Sequence, residues 1–255
     1  MRADVYLAAE GYARGRGEAK KLILDGLAVC DGRVIAKPAQ EIDDSLPHTV
    51  SITETGEECF ASRGGKKLAH ALDVFGVSPE GRIALDIGAS SGGFTDCLLR
   101  RGAAHVYALD CGSGQLVESL RGDARVTVME NYNARYLDAC DFPCLPSLLT
   151  MDVSFISQTL IFPAIASLLR EGGELVSLVK PQFEVGREGI GKGGIVRDAA
   201  LRRTALDRVA ASAASLGWSL LATTESPIPG GDGNMEYLAH FSIGASHREK
   251  EDDPI

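Results

Sequence analysis

The chain has 255 residues, of which 45% are hydrophobic and 24% are charged. These are ordinary values for a globular protein, so they exclude a disordered chain, a collagen-like chain and a repetitive fibre. The length fits one or two domains. Acidic residues outnumber basic residues by 35 to 26, for a net charge of −9. This balance excludes a protein that coats nucleic acid with its whole surface, but it allows a local basic patch.

The cysteines and the apolar segments indicate a reducing, aqueous environment. None of the six cysteines forms a Cys-x-x-Cys pair, so we expect neither a metal site nor a disulfide framework. The N-terminus lacks the apolar stretch of a secretory signal, which predicts a cytoplasmic protein. The most apolar window, Leu148–Leu169, contains Asp152, and a charge near a bilayer centre costs about 3 kcal/mol. We therefore predict no transmembrane helix and no membrane partner.

Residues 1–46 predict a small unit of two short helices followed by a hairpin. Apolar residues between Ala19 and Leu27 recur at helical spacing, and Gly26 is placed to end that helix. Asp31-Gly32 is a dipeptide that tolerates the positive φ angles of a two-residue hairpin turn.

This unit is basic although the chain is acidic. Between Ala13 and Lys37, six basic residues stand against three acidic ones. Such a charge suits contact with phosphate, although a solvated helix face would have the same composition. The order of the bases, the glycine turns and the hairpin resembles the S4 RNA-binding module. The resemblance implies RNA contacts from Arg2, Arg14, Arg16, Lys20, Lys21 and Arg33.

From about Ser62 the sequence alternates short apolar runs with helical patterns. This alternation predicts an α/β fold of the Rossmann-like type, a mostly parallel sheet with helices on both faces. The predicted strands are Ile83–Ile87, Val106–Leu109, Val126–Met129, Leu148–Asp152, Leu175–Val179 and Tyr237–Ile243, and the predicted helices include Gly93–Arg100, Gln158–Leu169 and Ala199–Leu216. We expect this domain to span 62–245, after a linker at 47–61 and before a disordered tail at 246–255.

The first predicted strand of this domain runs into a glycine-rich turn. Glycine lets the backbone approach a ligand closely because it has no Cβ. A dinucleotide-binding G-x-G-x-x-G motif would need glycine at Ser90. The spacing present, acidic-x-Gly-x-x-x-Gly, resembles the first motif of S-adenosylmethionine-dependent methyltransferases. Asp110, at the end of the second strand, is placed to accept hydrogen bonds from ribose hydroxyls, or to cap a helix that follows it. The expected cofactor-binding residues are Asp86, Gly88, Ser90, Gly92, Gly93, Phe94, Asp110, Asn133 and Asp152.

A second glycine-rich run, Gly186–Gly193, satisfies G-x-x-x-x-G-K. It carries Gly193 where a P-loop needs a serine or threonine to hold magnesium, and it follows a late strand. We therefore interpret it as a mobile loop over a substrate.

Charged residues stand at the ends of three predicted strands. Asp152 and Lys180 each close a strand, and Glu236 directly precedes the last one. Three such residues on one sheet predict a common cleft. Lys67 lies on a helical stretch before the first strand, where it has the appearance of a surface lysine.

Six motifs in this order resemble the TlyA (hemolysin A) family, which joins an S4 module to an FtsJ-like ribose methyltransferase domain. They are Ser62–Leu68, Asp86–Asp96, Met151–Ser157, Leu178–Arg187, Gly191–Asp198 and Asp232–Leu238. The resemblance implies S-adenosylmethionine-dependent methylation of cytidine 2′-hydroxyls in 16S or 23S ribosomal RNA, within ribosomes or subunits. It maps the family's catalytic Lys-Asp-Lys-Glu tetrad onto Lys67, Asp152, Lys180 and Glu236. Ser113 and the stretch 130–133 depart from the family pattern, which affects the expected contacts at the cofactor's edge.

The tetrad suits the chemistry. A ribose hydroxyl is a poor nucleophile, so methyl transfer from a sulfonium needs in-line approach and removal of the hydroxyl proton. A lysine accepts that proton only when neutral, which burial and a neighbouring cation favour. We expect Lys180 to be the base, oriented by Asp152, with Lys67 and Glu236 holding the ribose; the sequence does not decide between the two lysines.

Two other functions compete with this interpretation. A membrane-active hemolysin would need an amphipathic or spanning segment, which the sequence does not show. An RNA-binding protein with an inactive methyltransferase fold is the other alternative, and the complete tetrad argues against it.

Overall fold

The structure is a computed structural model, and it describes residues 1–13, 15–24, 26–52, 60–169, 171–191, 193–230 and 233–243. Arg14 and the predicted tail at 246–255 lie outside these ranges. The chain divides into two compact units, Met1–Cys59 and Phe60–Ile255.

The first unit contains two helices and a three-stranded antiparallel sheet. Its elements are α1 (Ala3–Ala9), α2 (Arg16–Leu24), β1 (Ala28–Cys30), β2 (Arg33–Val34) and β3 (Val50–Ile52), with strand order β2-β1-β3. The predicted helices and hairpin are confirmed, and Asp31 and Gly32 have φ angles of 50° and 75°. The sequence places 50–52 in a linker, whereas the structure pairs β3 with β1. This pairing satisfies the backbone groups along the second edge of β1.

His48 clamps the segment before β3 onto the hairpin turn. Its Nδ1 lies 2.7 Å from Asp31 Oδ2 and its Nε2 lies 2.8 Å from the Asp43 carbonyl oxygen. Two acceptors require a doubly protonated ring, and the hydrogen bond with Asp31 raises the pKa of His48 above its ordinary value. Cys30, Asp31 and His48 form a group that could hold a metal, with ligating atoms within 4.8 Å of one another. We expected no such group from the sequence, and here both ring nitrogens already have partners.

The thermal stability of the protein should fall as the pH rises through the folded-state pKa of His48. Because folding raises this pKa, the clamp contributes fully below the unfolded value near 6.5 and is lost above the raised value. Thermal unfolding of the full chain between about pH 6 and 9 measures the effect. A His48→Gln variant should lack this part of the slope, and an unchanged slope in the variant would contradict the assignment.

The second unit is built on a seven-stranded sheet. Its strands are β4 (Ile83–Ile87), β5 (His105–Leu109), β6 (Val126–Met129), β7 (Leu148–Met151), β8 (Glu174–Val179), β9 (Trp218–Glu225) and β10 (Tyr237–Ile243), in the order β6-β5-β4-β7-β8-β10-β9. The first five in this order are parallel, and β10 is antiparallel to both neighbours. The predicted Rossmann-like fold is confirmed. The sequence reading missed β9, an edge strand in which Leu220 and Leu221 are exposed, so it lacks the alternation of a half-buried strand.

Helices pack on both faces of this sheet. They are α3 (Gly64–Phe75), α4 (Gly93–Arg100), α5 (Glu118–Arg121), α6 (Phe162–Ile165), α7 (Pro181–Glu184) and α8 (Ala199–Ala214). One apolar layer contains residues of α3 and α4, and the other contains residues of α6 and α8. The predicted helix Gln158–Leu169 is wrong as a single helix: a 3-10 turn at Gln158–Leu160 precedes α6. Pro163 explains the break, because it has no N–H to donate to the preceding turn.

Candidate functional site

The sheet topology brings the four predicted tetrad residues to one edge. Asp152 directly follows β7 and Lys180 directly follows β8, and these parallel neighbours end on the same side of the sheet. β10 runs the other way, with Tyr237 paired to Val179, so Glu236 lies at that same edge. Lys67 comes from the first turn of α3.

The tetrad consists of two ion pairs. Lys67 Nζ donates to Glu236 Oε2 at 2.6 Å, and these side chains are 11% and 3% exposed. Lys180 Nζ lies 2.6 Å from Asp152 Oδ1 and donates to Ser154 Oγ at 2.8 Å. Each lysine is therefore paired with a carboxylate, whereas we expected a neighbouring cation from the sequence. Loss of one partner would leave an uncompensated charge in a largely buried site.

Two glycines make room for tetrad residues. A Cβ on Gly88, which has a φ of 88°, would overlap the carbonyl oxygen of Asp152. A Cβ on Gly230 would overlap Glu236 Oε1. Position 88 therefore requires glycine, because the overlapping atom belongs to the backbone, whereas a side chain at Gly230 would displace the Glu236 carboxylate.

Two adjoining cavities open at this edge of the sheet. The first, of about 380 Å³, has apolar walls that include Ile87, Leu109 and Ile161. The second, of about 330 Å³, is lined mainly by glycines and polar residues. Gly88, Ser90, Asp152 and Ser154 line both cavities. Lys67 and Lys180 line the second one, together with Arg63, which the sequence analysis did not select.

Most of the predicted cofactor residues line one or both of these cavities, and the others line neither. The first cavity is lined by Gly88, Ser90, Asp110, Asn133 and Asp152. The second is lined by Gly93 and Phe94 as well as by residues that the two cavities share. Asp86, Gly92 and the tetrad residue Glu236 are absent from both linings.

Asp110 holds the turn that enters the first cavity. Its Oδ2 accepts a hydrogen bond from Ser90 N at 2.8 Å, and its Oδ1 accepts one from Gly112 N at 2.7 Å. The alternative role as a helix cap is not what the structure shows, because the next helix, α5, begins only at Glu118. A carboxylate has about four acceptor positions, so this side chain can bind a ligand hydroxyl as well.

Asp86 lies beneath the glycine turn and is fully buried. It accepts hydrogen bonds from Thr95 Oγ1 at 2.7 Å and from Thr150 Oγ1 at 3.2 Å. Burial raises the pKa of its carboxyl to about 7, against the opposing effect of these hydrogen bonds. Asp86 therefore braces β4 against α4 and β7, in contrast to the direct cofactor contact that we expected.

Phe155 is a site residue that the sequence analysis missed. Its side chain is 91% exposed, its φ is +64°, and it lines the first cavity. Its ring lies 5.2 Å from that of Phe183. A positive φ at a bulky residue is uncommon and tends to occur at functional sites.

Glu130 fixes the loop that carries Gln115 into the first cavity. Its carboxylate accepts hydrogen bonds from the backbone of Gly114, Gln115 and Leu116 and from Arg121. These bonds, with Gly114 the largest contributor, lower the pKa of Glu130 to about 2. This stretch departs from the expected family pattern, and in the structure it supports the cavity wall.

The predicted RNA-binding residues in the first unit include two arginines that share one acidic partner. Arg2 Nε donates to Asp4 Oδ1 at 2.9 Å, and Arg16 Nη2 lies 3.3 Å from Asp4 Oδ2. The hydrogen bond from Arg2 is the main reason why the pKa of Asp4 falls to about 2. Lys20, Lys21 and Arg33 are exposed. Asp4, which is buried within α1, was not predicted from the sequence.

The sheet order, the glycine turn after β4 and the acidic residue after β5 define a Rossmann-like methyltransferase. The chain belongs to the FtsJ-like methyltransferase family, whose model matches residues 60–243. Within that family it belongs to the TlyA and hemolysin A group, as its relatives show.

Three of these relatives span most of the chain. The 16S/23S rRNA (cytidine-2'-O)-methyltransferase TlyA of Mycobacterium tuberculosis is 44% identical over 93% of this chain and 88% of its own. Hemolysin A of Brachyspira hyodysenteriae is 44% identical over 95% of this chain and 100% of its own. A solved structure from Streptococcus thermophilus, named as a candidate hemolysin, is 46% identical and has a TM-score of 0.76, covering 96% of this chain and 89% of that one.

The hemolysin name raises the question of membrane contact. Within the part of the chain that the structure describes, no helix has both the length and the apolar character to cross a bilayer.

Proposed function

We propose that this enzyme transfers a methyl group from S-adenosylmethionine to the 2′-hydroxyl of a cytidine in ribosomal RNA, the substrate named for its TlyA relatives. The observation that carries the proposal is the pair of adjoining cavities with Asp152 and Ser154 in both linings and Lys180 in the second. Such an arrangement suits a methyl donor in one cavity and a ribose in the other. Ribosomal RNA as substrate also implies the cytoplasmic location expected from the sequence.

The first cavity fits the methyl donor. Its volume of about 380 Å³ lies within the range of small-molecule sites. Asp110 is placed to hold the ribose hydroxyls of the donor, and Gly88 and Ser90 bring backbone close to it. Asn133 and the apolar walls would complete the binding site.

The second cavity fits a ribose attached to phosphate. When bound, S-adenosylmethionine supplies a methyl group on a positively charged sulfur, which becomes a neutral thioether on transfer. Because the ion pair with Asp152 favours the ammonium form, Lys180 must first release a proton to solvent. Its neutral amine then accepts the proton of the 2′-hydroxyl, and Asp152 stabilises the ammonium that results. Lys67 orients the ribose, and Glu236, buried behind it, holds Lys67 in place. Phe155, which lines the first cavity, offers an exposed aromatic face on which a base can stack.

We also infer that Met1–Cys59 is an S4-like module that binds structured RNA. Its support is the exposed basic surface of α2 and the hairpin, which includes Arg16, Lys20, Lys21 and Arg33. Basic side chains that neutralise phosphates supply sequence-independent affinity, so this unit would hold the RNA while the methyltransferase unit reacts.

The direct test is methylation of ribosomal subunits that lack 2′-O-methyl groups. Incubation with protein and S-adenosylmethionine should produce a new 2′-O-methylcytidine, detected by mass spectrometry of nuclease digests. Calorimetry should show binding of S-adenosylmethionine and not of NAD. Methylation of a base, or no binding of S-adenosylmethionine to folded protein, would overturn the proposal.

Replacement of Arg16, Lys20 and Lys21 by alanine should weaken RNA binding and flatten its salt dependence. Each lost phosphate contact reduces the magnitude of the slope of log K against log salt by roughly one. The slope of the triple variant should therefore be smaller in magnitude by about two to three. Filter binding over a salt series measures the slope, and affinity for S-adenosylmethionine should not change. The control is a variant in which alanine replaces Arg101, Arg125 and Arg203, which pair with acidic residues in the second unit. It loses the same amount of positive charge as the first variant. Equal losses in both variants would count against the first unit as the RNA-binding surface.

A further inference from the structure

We propose that the half-buried Ser157 and the buried Gln158, Ser177 and Glu184 form a latch that positions the wall of the first cavity against Lys180. The inference rests on the proposed function, and Glu184 is its central positioning residue. The latch joins the segment after β7 to the strand and the helix on either side of Lys180.

Glu184 binds the segment after β7 with both carboxylate oxygens. It is 2% exposed, accepts a hydrogen bond from Ser157 Oγ at 2.6 Å, and accepts a second from Gln158 N at 2.9 Å. Arg208 donates to the backbone oxygen of Glu184 at 2.9 Å. Burial raises the pKa of Glu184.

Gln158 extends the latch to β8. It is 2% exposed, its Nε2 donates to the Leu178 carbonyl oxygen at 2.6 Å, and its Oε1 accepts from Ser177 Oγ at 2.6 Å. An amide buried among apolar residues is costly unless it has such partners. The Gln158 side chain therefore fixes the position of residue 158 relative to the last residues of β8.

The latch fixes one end of the segment 152–158, which forms part of the wall of the first cavity. Residues 152–158 are fixed at one end where Asp152 N donates to Ile87 O at 2.9 Å, and at the other end by the latch. Between these anchors lie Ser154, which binds Lys180, and Phe155, with its positive φ. A backbone in that conformation persists only when the surrounding structure holds it. Leu178 and Glu184 stand two residues before and four residues after Lys180, so both flanks of the lysine are tied to the same segment.

The hydrogen bonds predict which substitution at Glu184 is tolerated. In a Glu184→Gln variant the amide oxygen can still accept from Gln158 N, and the amide nitrogen can donate to Ser157 Oγ. The Ser157 hydroxyl can then donate to Thr159 Oγ1, which is 2.8 Å away. A Glu184→Ala variant loses both bonds and leaves Ser157 and Gln158 N without this partner.

The test compares single-turnover methyl transfer on ribosomal subunits, at saturating S-adenosylmethionine, for Glu184→Ala and Glu184→Gln in the full chain. Alanine should lower the rate by about tenfold or more, because small displacements of aligned groups are costly, and should weaken cofactor binding several-fold. Glutamine should stay within about threefold of the unmodified rate. RNA affinity should not change in either variant.

Glu174→Ala is the matched control, because Glu174 lies at the opposite end of β8, where it pairs with Arg82 and His240. It should lower the unfolding temperature without slowing transfer. If folded Glu184→Ala transfers methyl at the normal rate, or if glutamine loses as much activity as alanine, the latch is overturned. If Glu184→Ala does not fold, Ser157→Ala and Ser177→Ala carry the test: each should slow transfer several-fold, and normal rates in both would overturn the proposal.

Failure of the proposed function gives a different result. If the unmodified protein methylates no ribosomal RNA, cofactor affinity measured by calorimetry still tests the latch, since Glu184→Ala should weaken it and Glu174→Ala should not. Equal cofactor affinity in the unmodified protein and both variants would then contradict the proposed latch as well.

Discussion

Replacing Lys180 by alanine should lower the single-turnover rate of methyl transfer by about a hundredfold or more, while RNA affinity changes little. This is the range for a positioned acid-base group that acts in the transition state. Lys180→Arg should not restore the rate, because a guanidinium remains protonated and cannot accept the hydroxyl proton. Rapid-quench measurements with ribosomal subunits at saturating enzyme would give these rates directly.

Lys66→Ala is a suitable control for the charge. Lys66 lies on α3 beside Lys67, and it is not among the residues that line the two cavities. Its variant should transfer methyl at a near-normal rate. A Lys180→Arg variant with near-normal single-turnover rates would show that Lys180 contributes only positive charge, and the base would then be Lys67 or water.

Replacing Asp110 by alanine should weaken binding of S-adenosylmethionine by about a hundredfold. The variant loses the acceptor for the donor's ribose hydroxyls, and hydrogen bonds to a charged group contribute about 1.5–3 kcal/mol. It also releases Ser90 N and Gly112 N, which shape the entrance of the first cavity. Titration calorimetry measures the change, and the transfer rate at saturating cofactor should fall much less than the affinity.

Asp123→Ala is the matched control for Asp110. Asp123 also accepts a backbone hydrogen bond in a turn, from Arg125 N at 2.8 Å. It precedes β6, whereas Asp110 follows the parallel neighbour β5, so the two carboxylates lie at opposite edges of the sheet. Cofactor affinity should be normal in this variant. If Asp110→Ala also binds S-adenosylmethionine normally, the first cavity is not the site of the donor's ribose.

Local sequence signals predicted the elements whose burial follows a simple period. The strands of the parallel sheet are continuous apolar runs because both of their faces are covered by helices, and such runs stand out in a sequence. β9 did not stand out, because an edge strand with exposed Leu220 and Leu221 has no apolar alternation. The helix predicted at Gln158–Leu169 is broken by Pro163, which has no N–H to donate to the preceding turn.

The site was predicted in part. Asp152 and Lys180 were selected because active sites of such sheets lie at the carboxyl ends of strands. Glu236 precedes its strand, and it reaches the same edge because β10 is antiparallel to β8. The family resemblance then supplied Lys67. Asp4, Phe155 and Glu184 were missed, since a buried carboxylate and an exposed aromatic residue have no distinguishing local pattern.

The sequence by itself determined the class of fold, the glycine turn and the residue types at the strand ends, because each of these depends on neighbours along the chain. Only the tertiary structure determined which distant residues are in contact. Lys67 and Glu236 are 169 residues apart in the chain, and they meet because β10 runs antiparallel to β8. The same long-range packing buries Asp86 beneath the turn and joins Glu184 to Ser157. Contacts of this kind depend on the order and direction of strands, which local periodicity does not encode.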